Sequence, residues 1–429
     1  MRKYFGENLS STELENLCKR PAIDLDQVMP VVRDILDEIK TGGDDAVKNY
    51  TRKFDGVELD NFLVTEEEME IAAGNVSDDF KKAVKIAAEN IEKFHKAQRF
   101  STYEIETMPG VKCFQESRAI EKVGLYIPGG SAPLPSTLMM LAIPSKIAGV
   151  REIIITTPPD KTGLIADEIL YVGKFLGVKN IFKVGGAQAI AAMAYGTKTI
   201  PRVDKICGPG NQYVTAAKML VANDGVAIDF PAGPTEVLII ADENARADFV
   251  AADLLSQAEH GEDSQVVLVS NNESKVEEIL EELALQLELL PRKKIATKAL
   301  ENSFALIVES VEKAVEFSNR YAPEHLILNI DDARKYIPLV QSAGSVFLGQ
   351  WSCEAAGDYA SGPNHSLPTY GYARSYGGVC VDTFMKKITF QELDKEGVKN
   401  IGWTVETLAA CEGLDGHKKA MSIRLNNLK

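Results

Sequence analysis

Residues 237–269 read VLIIADENARADFVAADLLSQAEHGEDSQVVLV. An apolar run, Val237-Leu238-Ile239-Ile240, opens the stretch and a second, Val266-Val267-Leu268-Val269, closes it. A helix-length segment, 246–260, lies between them. Both runs are continuous rather than alternating, which suits strands buried on both faces. Strand, helix and strand in this order predict a parallel sheet with helices on its faces. The pattern extends in both directions. Upstream stand Val123 to Ile127, Ile153 to Ile155 and Ile181 to Val184; downstream stand Leu306 to Val308, Leu326 to Leu328 and Val346 to Leu348. Helix-length segments such as 164–176, 212–223 and 274–289 separate them. Phe230-Pro231-Ala232-Gly233-Pro234 interrupts the series, so two consecutive α/β units are expected, with a boundary near 230–236.

The flanks read differently. Val32, Ile35, Leu36 and Ile39 keep helical spacing, and Gly42-Gly43 supplies a stop. Phe80, Val84, Ala87, Ile91 and Phe94 form a second stripe ending at His95, an ordinary residue whose charge suits a last helical turn. Residues 349–378 hold six Gly, two Pro and four Tyr with no helical or strand period, and a loop of that length with aromatic content is expected to be functional. From 389 to 429 short helices are expected: Phe390-Gln391-Glu392-Leu393, Val405 to Cys411, and one starting near Asp415. This tail is too small to bury a core of its own and should pack on the body or on a partner subunit.

Composition sets bounds. Of 429 residues, 47 are Lys or Arg and 62 are Asp or Glu, a net charge of −15, and 45% are hydrophobic, which excludes a disordered chain. The acid excess argues against non-specific nucleic-acid binding. It does not bar an anionic cofactor, which backbone amides and helix N-termini can hold. The six Cys (18, 113, 207, 353, 380, 411) lie far apart without a CxxC pair, pointing to reduced thiols and a cytoplasmic protein. Cys113, Cys207 and Cys353 are read as small buried residues. No secretory h-region opens the chain. The uncharged stretch Val123 to Ser145 is broken by Pro128, Pro133, Pro135 and Pro144, so no membrane span is expected.

Several polar residues can carry chemistry. Gly208-Pro209-Gly210-Asn211-Gln212-Tyr213 begins like GxGxxG but ends in Tyr, and no GxxxxGK[ST] occurs. Three glycine-rich turns remain at predicted strand ends: Pro128-Gly129-Gly130-Ser131, Gly185-Gly186-Ala187-Gln188, and Gly208 to Asn211. Each can bring backbone amides to a phosphate; equally, α/β loops use glycine without any ligand. Gln257 and His260 stand three apart on a predicted helix with Asp253 one turn earlier, so they can converge on one ion, or form a solvated face capped by Gly261. Glu324-His325, at the mouth of an apolar strand, can supply a proton-transfer pair, or two side chains that diverge as neighbours in extended chain do. Asp358 and His365 sit in the Gly/Tyr loop, as ligands or as turn chemistry. Glu412 and His417 flank Gly413 to Gly416 in the tail, where the plain alternative is a helix–turn–helix with Asp415 as N-cap.

Taken together, these segments resemble the L-histidinol dehydrogenase family, the last enzyme of histidine biosynthesis. The resemblance is carried by Val123 to Gly130, Gly208 to Asn211, Ala232 to Glu236, Gln257 to His260, Ala322 to His325, Gly357 to Tyr359, Gly362 to His365, and Glu412 with the helix around His417. It covers most of the chain and no single short pattern carries it. It implies a zinc site of Gln257, His260, Asp358 and His417, a donor set that suits a borderline ion. It implies an acid–base pair, Glu324 and His325, and NAD⁺ contacts at Tyr126, Gln188 and Asn211. Thr235, Gln257, His260, His325, Asp358, Glu412 and His417 fall on its substrate-contacting positions; Thr235 stands where the family is associated with Ser, and the hydroxyl is kept. The implied reaction oxidises L-histidinol through L-histidinaldehyde to L-histidine with two NAD⁺. The implied assembly is an intertwined homodimer whose tails complete each other's sites.

The resemblance also implies a fold of two Rossmann-like, incomplete parallel-sheet α/β domains with small helical N- and C-terminal segments. The expected division is a helical segment 1–23, a discontinuous α/β domain of 24–127 and 237–380, an NAD-binding α/β domain 128–236, and a helical tail 381–429. Three other readings compete. A zinc hydrolase or lyase on the same scaffold would turn over without NAD⁺. A related dehydrogenase of another amino alcohol or a sulfonate would differ at Glu412 and the tail. A non-catalytic sensor would bind without turnover.

Overall fold

The structure, a computed structural model, describes residues 1–20, 25–98, 102–129, 133–231 and 233–428. Gly130, Ser131 and Ala232, which belong to the turns and the boundary segment named above, lie outside the described residues.

Two parallel sheets organise the chain. The first has five strands in the order Asn180–Lys183, Glu152–Thr157, Lys122–Tyr126, Lys205–Cys207, Ala227–Ile228. From Lys122–Tyr126 the next two strands are laid to one side and the last two to the other. A crevice therefore opens at the C-terminal ends of Lys122–Tyr126 and Lys205–Cys207, where open α/β sheets take ligands. The expected glycine turns at Gly129, Gly185-Gly186 and Gly208 all follow strand C-termini of this one sheet.

The second sheet has six strands in the order Arg2–Phe5, Phe304–Ile307, Gln265–Ser270, Glu236–Ala241, His325–Asn329, Ser345–Leu348, again all parallel. Glu236–Ala241 and Gln265–Ser270 are buried at every residue, as their unbroken apolar runs require. Each buried Val, Leu or Ile there contributes about 1.5–3 kcal/mol. The helix Ala247–Ala258 packs Val250, Ala251, Leu254 and Leu255 on this sheet. A crossover helix runs back against its strands. Its C-terminal turn, which holds Gln257 and is followed by His260, thus returns to the edge where Glu236–Ala241 and His325–Asn329 begin.

Sheet pairing and cores divide the chain differently from the expected domains. Lys122–Tyr126 is the central strand of the five-stranded sheet, although the expected break at 127/128 would assign it to the other unit. The helix Leu25–Phe54 packs Val32, Leu36 and Val47 against Ala191 and Ala217 of the five-stranded unit. Val84 and Ile91 of the helix Asp78–Lys96 pack there too, against Leu125 and Leu138. The core residues of 28–127 therefore share their clusters with residues of 138–230, and of 237–380 only Val379 joins them among the described residues. Gly43, at φ 53 and ψ −134, leaves helical geometry within Leu25–Phe54, so one helix ends at Gly42-Gly43 as expected and a second follows directly.

Two terminal expectations also change. Arg2–Phe5 is an edge strand, hidden in the sequence because its charges point to solvent as edge strands require. Phe390 to Leu393 is not helical: it ends the strand Met385–Leu393, which pairs antiparallel with Val111–Ala119, itself paired with Tyr103–Met108. Stacking of Phe390 on Phe114, 5.0 Å between ring centres, favours the pleated pairing. The helices Lys395–Cys411 and Asp415–Asn426 complete the tail. His95 is fully buried, with Nδ1 2.8 Å from Ile91 O, and burial lowers its pKa, so it is neutral in the helix rather than charged at its end. Cys207 is buried as expected, whereas Cys113 and Cys353 are half-buried. Among the described residues no helix is long and apolar enough to cross a membrane.

Candidate active site

The N-terminal edge of the six-stranded sheet faces the crevice of the five-stranded one. Glu324 precedes the strand His325–Asn329, and its Oε2 accepts from Thr235 Oγ1 at 2.6 Å and from Glu236 N at 2.9 Å. Burial pushes this carboxyl up to about 7, so it changes charge near neutral pH. The strand end that holds it is itself fixed. Arg20 donates from Nε and Nη2 to the two Glu236 carboxylate oxygens at 2.7 and 2.8 Å, and its guanidinium lies 3.5 Å over the Tyr321 ring. Both side chains are nearly excluded from water, at 4% and 1% exposure, so each charge depends on the other.

His325 stands among carboxylates. Its Nδ1 lies 3.3 Å from Glu236 O, 3.7 Å from Glu324 Oε2 and 3.8 Å from Glu354 Oε1. Its Nε2 stands 3.5 Å from Asp358 Oδ1 without completing a hydrogen bond. Burial would lower this imidazole; Glu354, Glu324 and Asp358 outweigh it and push the pKa up to about 10. Sequence reasoning missed Glu354, which is 1% exposed. A glutamate three residues before Gly357-Asp358 carries no spacing signal; only its burial reveals it.

Gln257 is buried between Thr235 and Glu354. With its NH₂ turned to Glu354 the amide donates to that carboxylate, 3.0 Å to Oε2, and its oxygen accepts from Thr235 Oγ1. The opposite orientation sets oxygen against carboxylate. Thr235 has one proton and two oxygen neighbours. A protonated Glu324 donating to Thr235, which donates to Gln257, satisfies all three groups, in keeping with the raised Glu324 pKa.

With the Gln257 NH₂ turned to Glu354, the amide oxygen stands 3.4 Å from His260 Nδ1. Burial lowers the His260 pKa against the pull of Asp358, leaving a neutral imidazole. Burial alone would raise Asp358, but His325, with His365 and His260, holds it below its ordinary value. His365 is enclosed, pushed down to about 4 by burial, and its Nε2 has no partner. Thr235, His260, Glu324, His325, Asp358 and His365 line one cavity of about 310 Å³.

The positions where NAD⁺ contacts were expected, Tyr126, Gln188 and Asn211, line a second, adjoining cavity of about 760 Å³, and Gly129 lines both. Gly186 N donates to Tyr126 Oη at 3.1 Å, and burial pushes the phenol up to about 12. Asn211 caps the helix Gln212–Asn223, its Oδ1 accepting from Tyr213 N and Val214 N at 3.0 and 3.1 Å, which leaves its NH₂ for a ligand. A Cβ at Gly208, φ 132, would strike the Tyr126 carbonyl, so only glycine fits this turn. A buried ion pair, Lys218 with Asp229, clamps the turn: Lys218 Nζ donates to Gly208 O at 2.9 Å, and Gly208 N donates to Asp229 Oδ2 at 2.8 Å.

Glu412 and His417 are not brought to this site by their own chain; both are exposed in the tail. A metal ion fits the remaining donors by their chemistry: a neutral imidazole at His260, an ionised carboxylate at Asp358 and an amide at Gln257. Among the described residues His325, Glu354 and Asp358 also bring ligand atoms within 4.8 Å of one another. A buried carboxylate–imidazole pair beside a strand-end crevice is an arrangement that an α/β oxidoreductase can use.

Comparison with known proteins specifies the class. A family model described as histidinol dehydrogenase matches residues 18–425. Histidinol dehydrogenase of Bacteroides thetaiotaomicron is 53% identical over 420 residues, 98% of each chain. The chloroplastic histidinol dehydrogenase of Arabidopsis thaliana is 51% identical over 432 residues, covering 100% of this chain and 92% of that one. The crystal structure of histidinol dehydrogenase from Elizabethkingia anophelis gives a TM-score of 0.96 at 52% identity, over 100% of this chain and 98% of that one. The chain belongs to the histidinol dehydrogenase family.

Proposed function

We propose that the enzyme oxidises L-histidinol through L-histidinaldehyde to L-histidine in the cytoplasm, with zinc bound and two NAD⁺ consumed. The observation that carries this reading is the buried Glu324–His325 pair, opening into one cavity with Thr235, His260 and Asp358 beside the 760 Å³ cavity. Each NAD⁺, when bound, accepts one hydride. Zinc held by Gln257, His260, Asp358 and His417 of a second copy would fix the substrate's imidazole and amino nitrogens and offset the carboxylate field around His325.

With Asp358 so engaged, His325 Nε2 is the base that takes the alcohol proton as the first hydride leaves. Glu324, titrating near 7, takes a proton from the water that adds to the aldehyde. Protonated His325 returns its proton to the aldehyde oxygen as that water adds, and is then free to take the hydrate's hydroxyl proton as the second hydride leaves. Enclosure of the pair retains the reactive aldehyde between steps.

The tail supports a shared-site homodimer. Trp403, Leu408, Leu414 and Ile423 are exposed on the helices around Glu412 and His417, an apolar surface that a second copy would cover. The test is NADH formed per L-histidinol supplied, before and after chelation. Two NADH per substrate, lost on chelation and restored by Zn²⁺, is the expected result; one NADH, or turnover indifferent to chelation, refutes it.

A further inference from the structure

The 760 Å³ cavity holds an acid that this reaction does not use. Asp55 lines it beside Gln188, whose Nε2 donates to Asp55 Oδ2 at 3.4 Å, a long bond. Asp55 directly follows the helix that ends at Phe54: its N–H still donates to Thr51 O at 2.9 Å, and Gly56 turns the chain away at φ 73. A helix C-terminus carries partial negative charge and disfavours a carboxylate there. Among the described residues no cation pairs with it, although Lys161 lines the same cavity, and burial pushes the carboxyl up to about 6 with Gln188 alone working against the rise.

The cavity's other carboxylate is spent. Asp160 Oδ1 accepts from Thr162 N at 2.8 Å and Leu164 N at 3.0 Å within its own turn. A half-buried carboxylate with one long hydrogen bond and no cation gains most from neutral O–H donors, and the vicinal diol of a ribose supplies two. Acids in other dinucleotide-binding folds hold a ribose in this way. Val31, Ile35 and Phe54 form an apolar wall of the same cavity, suited to a purine. The reacting ring must reach His325 past Gly129, so the end of the dinucleotide left beside Asp55 is the adenosine.

We propose that Asp55 binds the 2′- and 3′-hydroxyls of the adenosine ribose and thereby selects NAD⁺ over its 2′-phosphorylated counterpart. The assignment rests on reading this cavity as the NAD⁺ site. A 2′-phosphate would bring negative charge against the carboxylate and remove a donor.

The test titrates the zinc-loaded enzyme and its Asp55→Ala variant with NAD⁺, NADP⁺ and NAD⁺ built on 2′-deoxyadenosine. The unsubstituted enzyme should bind the deoxy form at least about tenfold more weakly than NAD⁺, and NADP⁺ more weakly still. D55A should lose the deoxy penalty, narrow the NAD⁺/NADP⁺ preference about tenfold or more, and raise KM for NAD⁺ more than it lowers kcat. Equal affinity of the unsubstituted enzyme for NAD⁺ and the deoxy form overturns the assignment without any variant having to fold. The same deoxy penalty in D55A also overturns it, leaving the cofactor reading intact. No binding of NAD⁺ to the unsubstituted enzyme overturns both.

Discussion

Replacing Glu324 by Gln separates the cost of a buried charge from its use. Gln has the shape of the protonated acid, and its oxygen can still accept from Glu236 N. In the folded chain Glu324 titrates near 7 instead of near 4.5, so folding holds its proton more tightly by about 3 kcal/mol. The folded pKa is raised. Its contribution to stability is therefore fully present below about 4.5 and is lost as pH rises through about 7. Between about pH 5 and about pH 8.5 the metal-free protein should lose roughly 2.5 kcal/mol that E324Q does not lose. Urea unfolding of both proteins at the two pH values measures this difference. A gap between them that is the same at both pH values would refute the reasoning. The stabilised variant should turn over histidinol roughly 10²–10⁴-fold more slowly, since the proton acceptor is gone.

Three further outcomes are expected. Arg20→Met leaves the Glu236 carboxylate buried without its cation and should cost about 3–5 kcal/mol in urea unfolding, much of it recovered when Glu236→Gln is added. Equimolar refolding of E324Q chains with His417→Ala chains should restore about a quarter of full activity from two inactive proteins, because half the dimers are mixed and each has one intact site; no recovery would place Glu324 and His417 in the same chain's site. Lys218→Met should destabilise by a similar 3–5 kcal/mol and, by loosening Gly208, raise KM for NAD⁺ more than KM for histidinol.

What could be read from the sequence was what repeats locally. The runs at 237–240 and 266–269 are unbroken because both faces of those strands are covered, so composition alone betrays them. The Glu324-His325 dipeptide and the Gln257/His260 spacing were visible for the same reason: their members are neighbours along the chain. Arg2–Phe5 and Met385–Leu393 were not legible, because edge and antiparallel strands expose polar side chains and break the apolar signal. Arg20 reaches its partner across 216 residues, and Glu354 meets His325 only through folding. Long-range charge pairing leaves no periodic trace. The resemblance named Gln257 and Asp358 but gave no hint that Glu354 orients the Gln257 amide.

The edge strand at the N-terminus bears on how the chain is made. Arg2 pairs with Phe304, so this strand waits for a partner made roughly three hundred residues later. At about 5–20 residues per second that is on the order of 15–60 s of translation. The six-stranded sheet closes only after Ser345–Leu348 has emerged, whereas every strand of the five-stranded sheet is complete by Ile228. The strand-end crevice of that sheet can thus be shaped while the edge that bears Glu324 and His325 does not yet exist. The helices of residues 25–96 dock early on that first sheet, and the N-terminal strand hangs outside it as an unpaired tether. Any segment fused ahead of Met1 is carried by that tether throughout synthesis and ends at the rim of the last sheet to form.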